Sequence, residues 1–296
     1  MGRWTLLAAV LIVGVTSLAA CGGDDDDGGD VPEGIRVAAF DFAESELLAE
    51  IYAQSLESHG LVVDRLGAIG PREIVAPALQ AGEIDVVPEY LGTAADHYGA
   101  DGQDLASLRT AVEALGLEAL EPAEAADVNV FVVTAETARA EGLARLSDLT
   151  GFAPTARFGG PVECPERPLC LLGLRDTYGL EFAEFVPQGS LVLTADALRR
   201  GEIDVGLMFS TSASLDEEDF VVLVDDRGLQ PAENVVPLVR SVVLEDPGLA
   251  VGDALDEVSA ALTTDDLRAL NRRVERGEPL EDVAASWLAG ASIAGT

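Results

Sequence analysis

The chain is 296 residues long, with 53 acidic against 18 basic side chains and a formal net charge of −35; all of its cationic side chains are arginines. Such acidity argues against nucleic acid and against an anionic membrane face as partners, since both are polyanions, and it favours a cationic or zwitterionic ligand. With two histidines, His59 and His97, neither in ligand spacing, zinc is not expected, and no motif calls for another cofactor.

The N-terminus reads as an export signal: Arg3, an apolar stretch from Leu6 to Val15, and LAAC closing at Cys21. The stretch is shorter than the roughly 20 residues of a transmembrane helix, with the charged flank and small-residue end of a signal peptide. LAAC resembles a bacterial lipobox, so removal of residues 1–20 and lipidation of Cys21 are expected. Residues 22–30, GGDDDDGGD, have nothing to bury and repel one another, which predicts an extended tether over residues 21–34. The roughly 260 residues beyond it suffice for two lobes of 100–150 residues.

A strand is predicted over Ile35–Phe40, then a helix to about His59 carrying Leu47, Leu48, Ile51 and Leu56, then a strand over Leu61–Leu66. A second helix starts near Pro71 and stops at Gly82, which takes a left-handed cap without a Cβ penalty. A strand follows over Glu83–Val87, and Pro88 is expected to end its pairing. Leu105–Leu115 and Leu171–Gly179 read as helices, Asn129–Val133 as a strand and Ser147–Leu149 as a helix cap. Gly201 stops another helix, and strands follow at Ile203–Met208, Phe220–Val224 and Val235–Val239. The tail from Pro247 to Ala289 is helical, with Thr263 or Thr264 as a cap. Alternating strands and helices place the chain in the α/β class. Cys164 and Cys170, in the proline-constrained loop CPERPLC, are expected to form a small disulfide, as an oxidising compartment allows.

One segment occurs twice. ALQAGEIDVVPEYLGTA (residues 78–94) returns as ALRRGEIDVGLMFSTSA (residues 197–213), with GEIDV identical, Tyr90 opposite Phe209 and Thr93 opposite Ser212. The copies lie about a lobe apart, beyond the roughly 20–50 residues of a solenoid unit, which predicts two lobes of similar build. Each aromatic stands just past the C-terminal end of a strand, where open α/β sheets bind ligands. From the residues alone, each is either a ligand wall or a core plug.

Three stretches, IRVAAFDFAESELLAEIYAQSLESHG, REIVAPALQAGEIDVVPEYLGTA and DDRGLQPAENVVPLVR, resemble in order the substrate-binding lipoproteins of osmoprotectant ABC importers, from about Ile35 to Leu288. The resemblance implies a two-lobed α/β clamshell, the type II periplasmic-binding-protein fold, with the ligand cleft between lobes. It implies crossings near Asn129 and Val235, with residues 35–128 plus 236–296 in lobe one and residues 129–235 in lobe two. The implied ligand is a small quaternary amine such as glycine betaine, choline or carnitine. The implied partners are an ABC permease with its ATPase, and the membrane through the lipid on Cys21. A monomer on the outer face of the bacterial cell membrane is expected.

In that family a cage of tyrosines holds the ammonium, because a cation without N–H donors is recognised by ring faces rather than hydrogen bonds. Tyr90 and Thr93 match the family's PEYTGTA, and Phe131 and Phe209 stand where further tyrosines are usual. Arg167 in CPERP matches an arginine that grips a ligand carboxylate; its other reading is a surface arginine. Two departures stand out. PAENVVP puts Glu233 in place of a cage aromatic, and AAFDFAES puts Phe40 and Asp41 where the family has lysine and asparagine. Glu233 is then either a cleft carboxylate that favours a positive ligand or a solvated loop residue, and Phe40 a replacement ring. An amino acid, polyamine or ergothioneine-like compound is the competing ligand class on this fold, and a sensor or adhesin the competing role. An enzyme is disfavoured for want of a nucleophile elbow, phosphate loop or metal cluster.

Overall fold

The computed structural model describes residues 34–216, 219–245 and 250–293, so the expected signal peptide, Cys21 and the tether lie outside the described residues. Two five-stranded sheets carry the fold. The first is built from β1 (Ile35–Phe40), β2 (Val63–Gly70), β3 (Val86–Tyr90), β4 (Leu117–Ala119) and β10 (Val235–Arg240), in the order β2-β1-β3-β10-β4. The second holds β5 (Asn129–Thr134), β6 (Arg157–Gly160), β7 (Glu184–Pro187), β8 (Val205–Phe209) and β9 (Phe220–Leu223), in the order β7-β6-β8-β5-β9.

The two orders correspond strand for strand. In each, three strands run parallel, and a fourth that belongs to a crossing of the chain lies antiparallel to the third. The repeated segment forms that third strand, β3 in one sheet and β8 in the other, which explains the identical GEIDV core. Asp85 accepts the backbone N–H of Arg36 at 2.9 Å and two bonds from its guanidinium at 2.8 Å each. Asp204 does the same for Arg157, at 2.7 Å from the backbone and 3.0 Å for both side-chain bonds. The aspartate of each copy thus pins the first turn-in of the neighbouring parallel strand through a bidentate fork.

Ten α-helices appear among the described residues. Against the first sheet pack α1 (Ala43–Ser58), α2 (Arg72–Ala81), α3 (Leu91–His97), α4 (Leu105–Glu113), α8 (Val251–Ala261), α9 (Thr264–Glu275) and α10 (Leu280–Ala291). Their apolar faces bury Leu47, Leu48 and Ile51 on one side of the sheet and Leu79, Leu108 and Val112 on the other. The second sheet carries α5 (Ala135–Glu141), α6 (Leu171–Tyr178) and α7 (Leu191–Arg199), with Leu174 and Phe158 in its larger core.

Capping follows the sequence closely. Gly82 and Gly179 close α2 and α6 at φ 73° and 68°. Thr263 and Asp266 form a reciprocal capping box at the start of α9. Pro88, by contrast, does not end its strand: β3 runs through it to Tyr90, with Pro88 directly opposite Pro237 of β10. Two facing prolines fit an antiparallel pair at a position that exchanges no hydrogen bond, and the other edge of β3 meets β1 only at Val86. β2 begins two residues later than its apolar run and continues to Gly70. The short β4, β6 and β7, and helices α3 and α5, carry too few residues to show a period. Cys164 and Cys170 are disulfide-bonded, with Cα atoms 5.3 Å apart.

Candidate functional site

A cleft of about 680 Å³ opens between the two sheets, of a size suited to a small ligand. Two crossing segments border it. Ala126 and Asn234 form an antiparallel bridge, and the Asp127 N–H donates to the Glu233 carbonyl at 3.0 Å, so the crossings run side by side.

On the first-sheet wall, the turn from β1 into α1 delivers Phe42 and Glu44. Buried Ser45 holds this turn, its Oγ accepting the Phe40 N–H at 3.0 Å. Tyr90 ends β3 and begins α3, and its phenol donates to Glu44 Oε1 at 2.7 Å. Asn271 of α9 donates to Glu44 Oε2 at 2.5 Å and to the Thr211 carbonyl at 3.3 Å. Thr211 in turn donates from Oγ1 to Asp127 Oδ1 at 2.9 Å. A continuous polar path therefore links Tyr90, Glu44, Asn271, Thr211 and Asp127 across both walls.

The start of α3 has no capping side chain of its own. The second crossing satisfies it instead: Leu91 and Gly92 donate to the Asn234 and Ala232 carbonyls, and Thr93 donates its N–H to Glu233 Oε2 at 3.1 Å. Thr93 Oγ1 reaches the same oxygen at 3.3 Å. Glu233 thus serves as an acceptor at a helix N-terminus, where negative charge is favoured. The approach is close enough that a Cβ on Gly92 would meet the Ala232 carbonyl and the Pro231 side chain at 2.9 Å each. Arg72 of α2 donates to both Glu89 oxygens, with the shortest contact 2.7 Å, and to Thr93 Oγ1 at 3.0 Å.

Electrostatically the cleft is acidic. Glu44, Asp127, Glu233 and Glu275 line it against the single lining guanidinium of Arg72, which already pairs with Glu89. Burial, reinforced by the charge of Glu44, pushes the Asp127 carboxyl up to about 8. Burial also raises Glu233, against the pull of its Thr93 hydrogen bonds and of Arg72. The Tyr90 phenol lies well above its ordinary value through burial and the adjacent Glu44. Among the described residues no cluster of three or more histidine, cysteine, aspartate or glutamate side chains could hold a metal ion.

Four residues expected at the site do line the cleft: Tyr90, Thr93, Phe209 and Glu233. Four do not. Phe40 is 3% exposed in the core of the first lobe, under the Arg72 guanidinium at 5.1 Å. Phe42, just past the strand end, stacks on Phe40 at 6.1 Å and carries the ring into the cleft in its place. Asp41 is exposed outside the lining. Phe131 is a core residue of the second lobe, 1% exposed and 6.0 Å from the Phe158 ring; Asn129, two residues earlier on β5, reaches the cleft instead. Arg167 is exposed in the disulfide loop outside the lining, where Leu169 faces the cleft.

Phe42, Glu44, Asp127 and Asn271 were not singled out from the sequence. Phe42 and Glu44 lie in FAES, within the first of the three stretches that carry the family resemblance, a usable signal. Asn271, 227 positions from its partner Glu44, has none.

Comparison with known proteins matches residues 33–290 to the family described as the substrate binding domain of ABC-type glycine betaine transport systems. Glycine betaine-binding protein YehZ of Escherichia coli is 27% identical over 274 residues, covering 86% of this chain and 89% of that protein. A glycine-betaine-binding protein of Pseudomonas aeruginosa is 28% identical, covering 86% and 87%. Among solved structures, a glycine betaine/carnitine/choline ABC transporter protein aligns at TM-score 0.79 and 21% identity, covering 88% of this chain and 99% of that one. Unliganded YehZ aligns at TM-score 0.75 and 24% identity, covering 88% and 100%. The fold is that of the two-lobed type II periplasmic binding proteins, and the chain belongs to the family of substrate-binding domains of ABC-type glycine betaine transport systems.

Proposed function

We propose that the protein captures a small quaternary-ammonium solute in the cleft, outside the cytoplasm, and presents it to the permease of an ABC importer. The observation that carries this reading is the convergence of three lining rings, Phe42, Tyr90 and Phe209, with carboxylates on one cleft. Ring faces attract an ammonium that has no N–H to donate, at roughly 0.5–2 kcal/mol per ring once water is excluded. Thr93 and Glu233 shape the wall beside Tyr90. Closure of the lobes around the solute is the hinge motion that marks the loaded form for the permease. The lipobox-like LAAC supports attachment through Cys21 to the outer face of the membrane, with the protein acting as a monomer.

A thermal-shift panel tests this reading. A trimethylammonium compound at about 100 times its dissociation constant adds about 2.7 kcal/mol of stability, whereas simple sugars leave the melting temperature unchanged. A response to sugars or neutral amino acids, with none to any quaternary amine, would sink it.

A further inference from the structure

The four lining carboxyls differ in burial: Glu275 is exposed, whereas Glu44 and Glu233 are buried. Glu44 is 8% exposed and Glu233 6% exposed, and neither they nor Asp127 makes an ion pair with an arginine among the described residues. Buried carboxylates without a counter-charge are costly, and a protein keeps them only protonated or paired. Here Glu44 is locked in place by donors on both oxygens, from Tyr90 and Asn271, and Asp127 by Thr211. These bonds hold both carboxyls in position; Glu44 has no arginine counter-charge, and Asp127, raised by burial beside Glu44, keeps its proton at neutral pH.

The opposite requirement, a donor for a ligand's carboxylate, is poorly met. Arg72 is the one cation of the lining, and its fork is engaged by Glu89 and Thr93. The lining amides are also engaged: Asn129 donates to Gln230, and Gln230 donates to the Leu169 carbonyl at 2.9 Å. Arg167 stands outside the wall.

We infer that Glu44 selects the charge of the ligand, so that the occupant is a net cation of the trimethylammonium-alcohol type rather than a zwitterion bearing a carboxylate. This rests on the reading of the cleft as a quaternary-amine site. A bound cation supplies the counter-charge that Glu44 lacks. A zwitterion brings its own anion into the same acidic cavity, where repulsion offsets what its ammonium gains.

Isothermal titration calorimetry of the purified protein with choline and glycine betaine at neutral pH and fixed salt provides the test. Choline binds at least about tenfold tighter than glycine betaine, from the like-charge penalty in a partly desolvated site. Glu44→Gln keeps the size of the side chain and one of its two acceptors, while the Tyr90 hydroxyl can turn to accept from the new amide; with the charge gone it weakens choline by about tenfold and does not weaken glycine betaine, and Asp127→Asn weakens choline less than Glu44→Gln does. Arg167→Ala leaves choline affinity unchanged. Glycine betaine binding as tightly as choline, or losing affinity in Arg167→Ala, overturns charge selection while leaving the quaternary-amine reading in place. If both compounds fail to bind the folded protein, the reading itself falls, and this inference with it. Should Glu44→Gln fail to fold, shown by loss of a cooperative melt, the ratio of choline to glycine betaine affinity in the parent protein decides.

Discussion

Asp85 and Asp204 hold the same place in the two lobes, yet their surroundings differ. Asp85 is fully buried and serves two arginines, Arg36 and Arg240, the latter at 2.9 Å. Asp204 is 28% exposed and serves Arg157 alone, whose spare donor goes to the Gly201 carbonyl. The divergence continues to the ends of the copies. Tyr90 is 7% exposed and hydrogen-bonded through its hydroxyl, while Phe209 is 38% exposed with no polar handle. Gly92 permits a contact so close that no side chain fits, whereas the equivalent position in the second copy is Thr211, whose hydroxyl reaches Asp127. One repeated strand thus ends in a buried, hydrogen-bonded ring in the first lobe and in a half-exposed ring without a hydroxyl in the second. Internal repetition fixes where a wall stands; the residues beyond it decide what the wall does.

The largest effect should come from breaking the buried clamp. Asp85→Ala removes a fully buried acceptor shared by two part-buried guanidiniums and costs about 3 kcal/mol, while Asp204→Ala costs about 1 kcal/mol because its pair is more exposed. Urea denaturation of both variants measures the difference; equal losses would show that the two clamps are equivalent after all.

The aromatic ends separate stability from binding. Phe209→Ala changes stability by less than about 1 kcal/mol, because the ring is already partly exposed, but weakens a quaternary ammonium by about tenfold. Tyr90→Phe keeps the ring and leaves buried Glu44 short of a donor, which costs about 1–3 kcal/mol of stability. Calorimetric titration with parallel melting curves reads both quantities. A Phe209→Ala variant that melts early yet binds normally would make Phe209 a core plug.

The smallest effect concerns acid–base balance at the crossing. The folded protein holds the Asp127 proton to about pH 8, whereas the unfolded chain releases it near the ordinary 3.8. Between those values the folded state binds more protons, so the contribution of this group to stability falls as pH rises from about 4 to about 8. Asp127 is part-buried in the wall of the open cleft, which screens the effect to a few degrees of melting temperature. Melting curves of the unliganded protein should decline across that window, and Asp127→Asn should flatten the decline. A variant that follows the parent curve would place the titration elsewhere.

Much of this architecture is written locally. The apolar period of α1, the left-handed stops at Gly82 and Gly179, and the Thr263 cap depend on neighbours within a turn, so the chain states them directly. The repeat likewise announced a twofold plan and placed Tyr90 and Phe209 just past strand ends, where the structure makes each the last residue of its strand. Pro88 misled because its cost depends on which edge of β3 is left unpaired, a property of the sheet rather than of the residue.

The sequence by itself determined the class, the twofold plan and one wall of the cleft, because periodicity, caps and internal repetition are carried by residues close in the chain. Only the tertiary structure decided which of Phe40 and Phe42 turns into the cleft, that Phe131 is spent on the core, and that Arg167 stays outside it. It also decided that Glu44, Asn271, Thr211 and Asp127 meet. Those outcomes depend on where α1, α9 and the two crossings come together, and charges brought together over such separations leave no pattern along the chain.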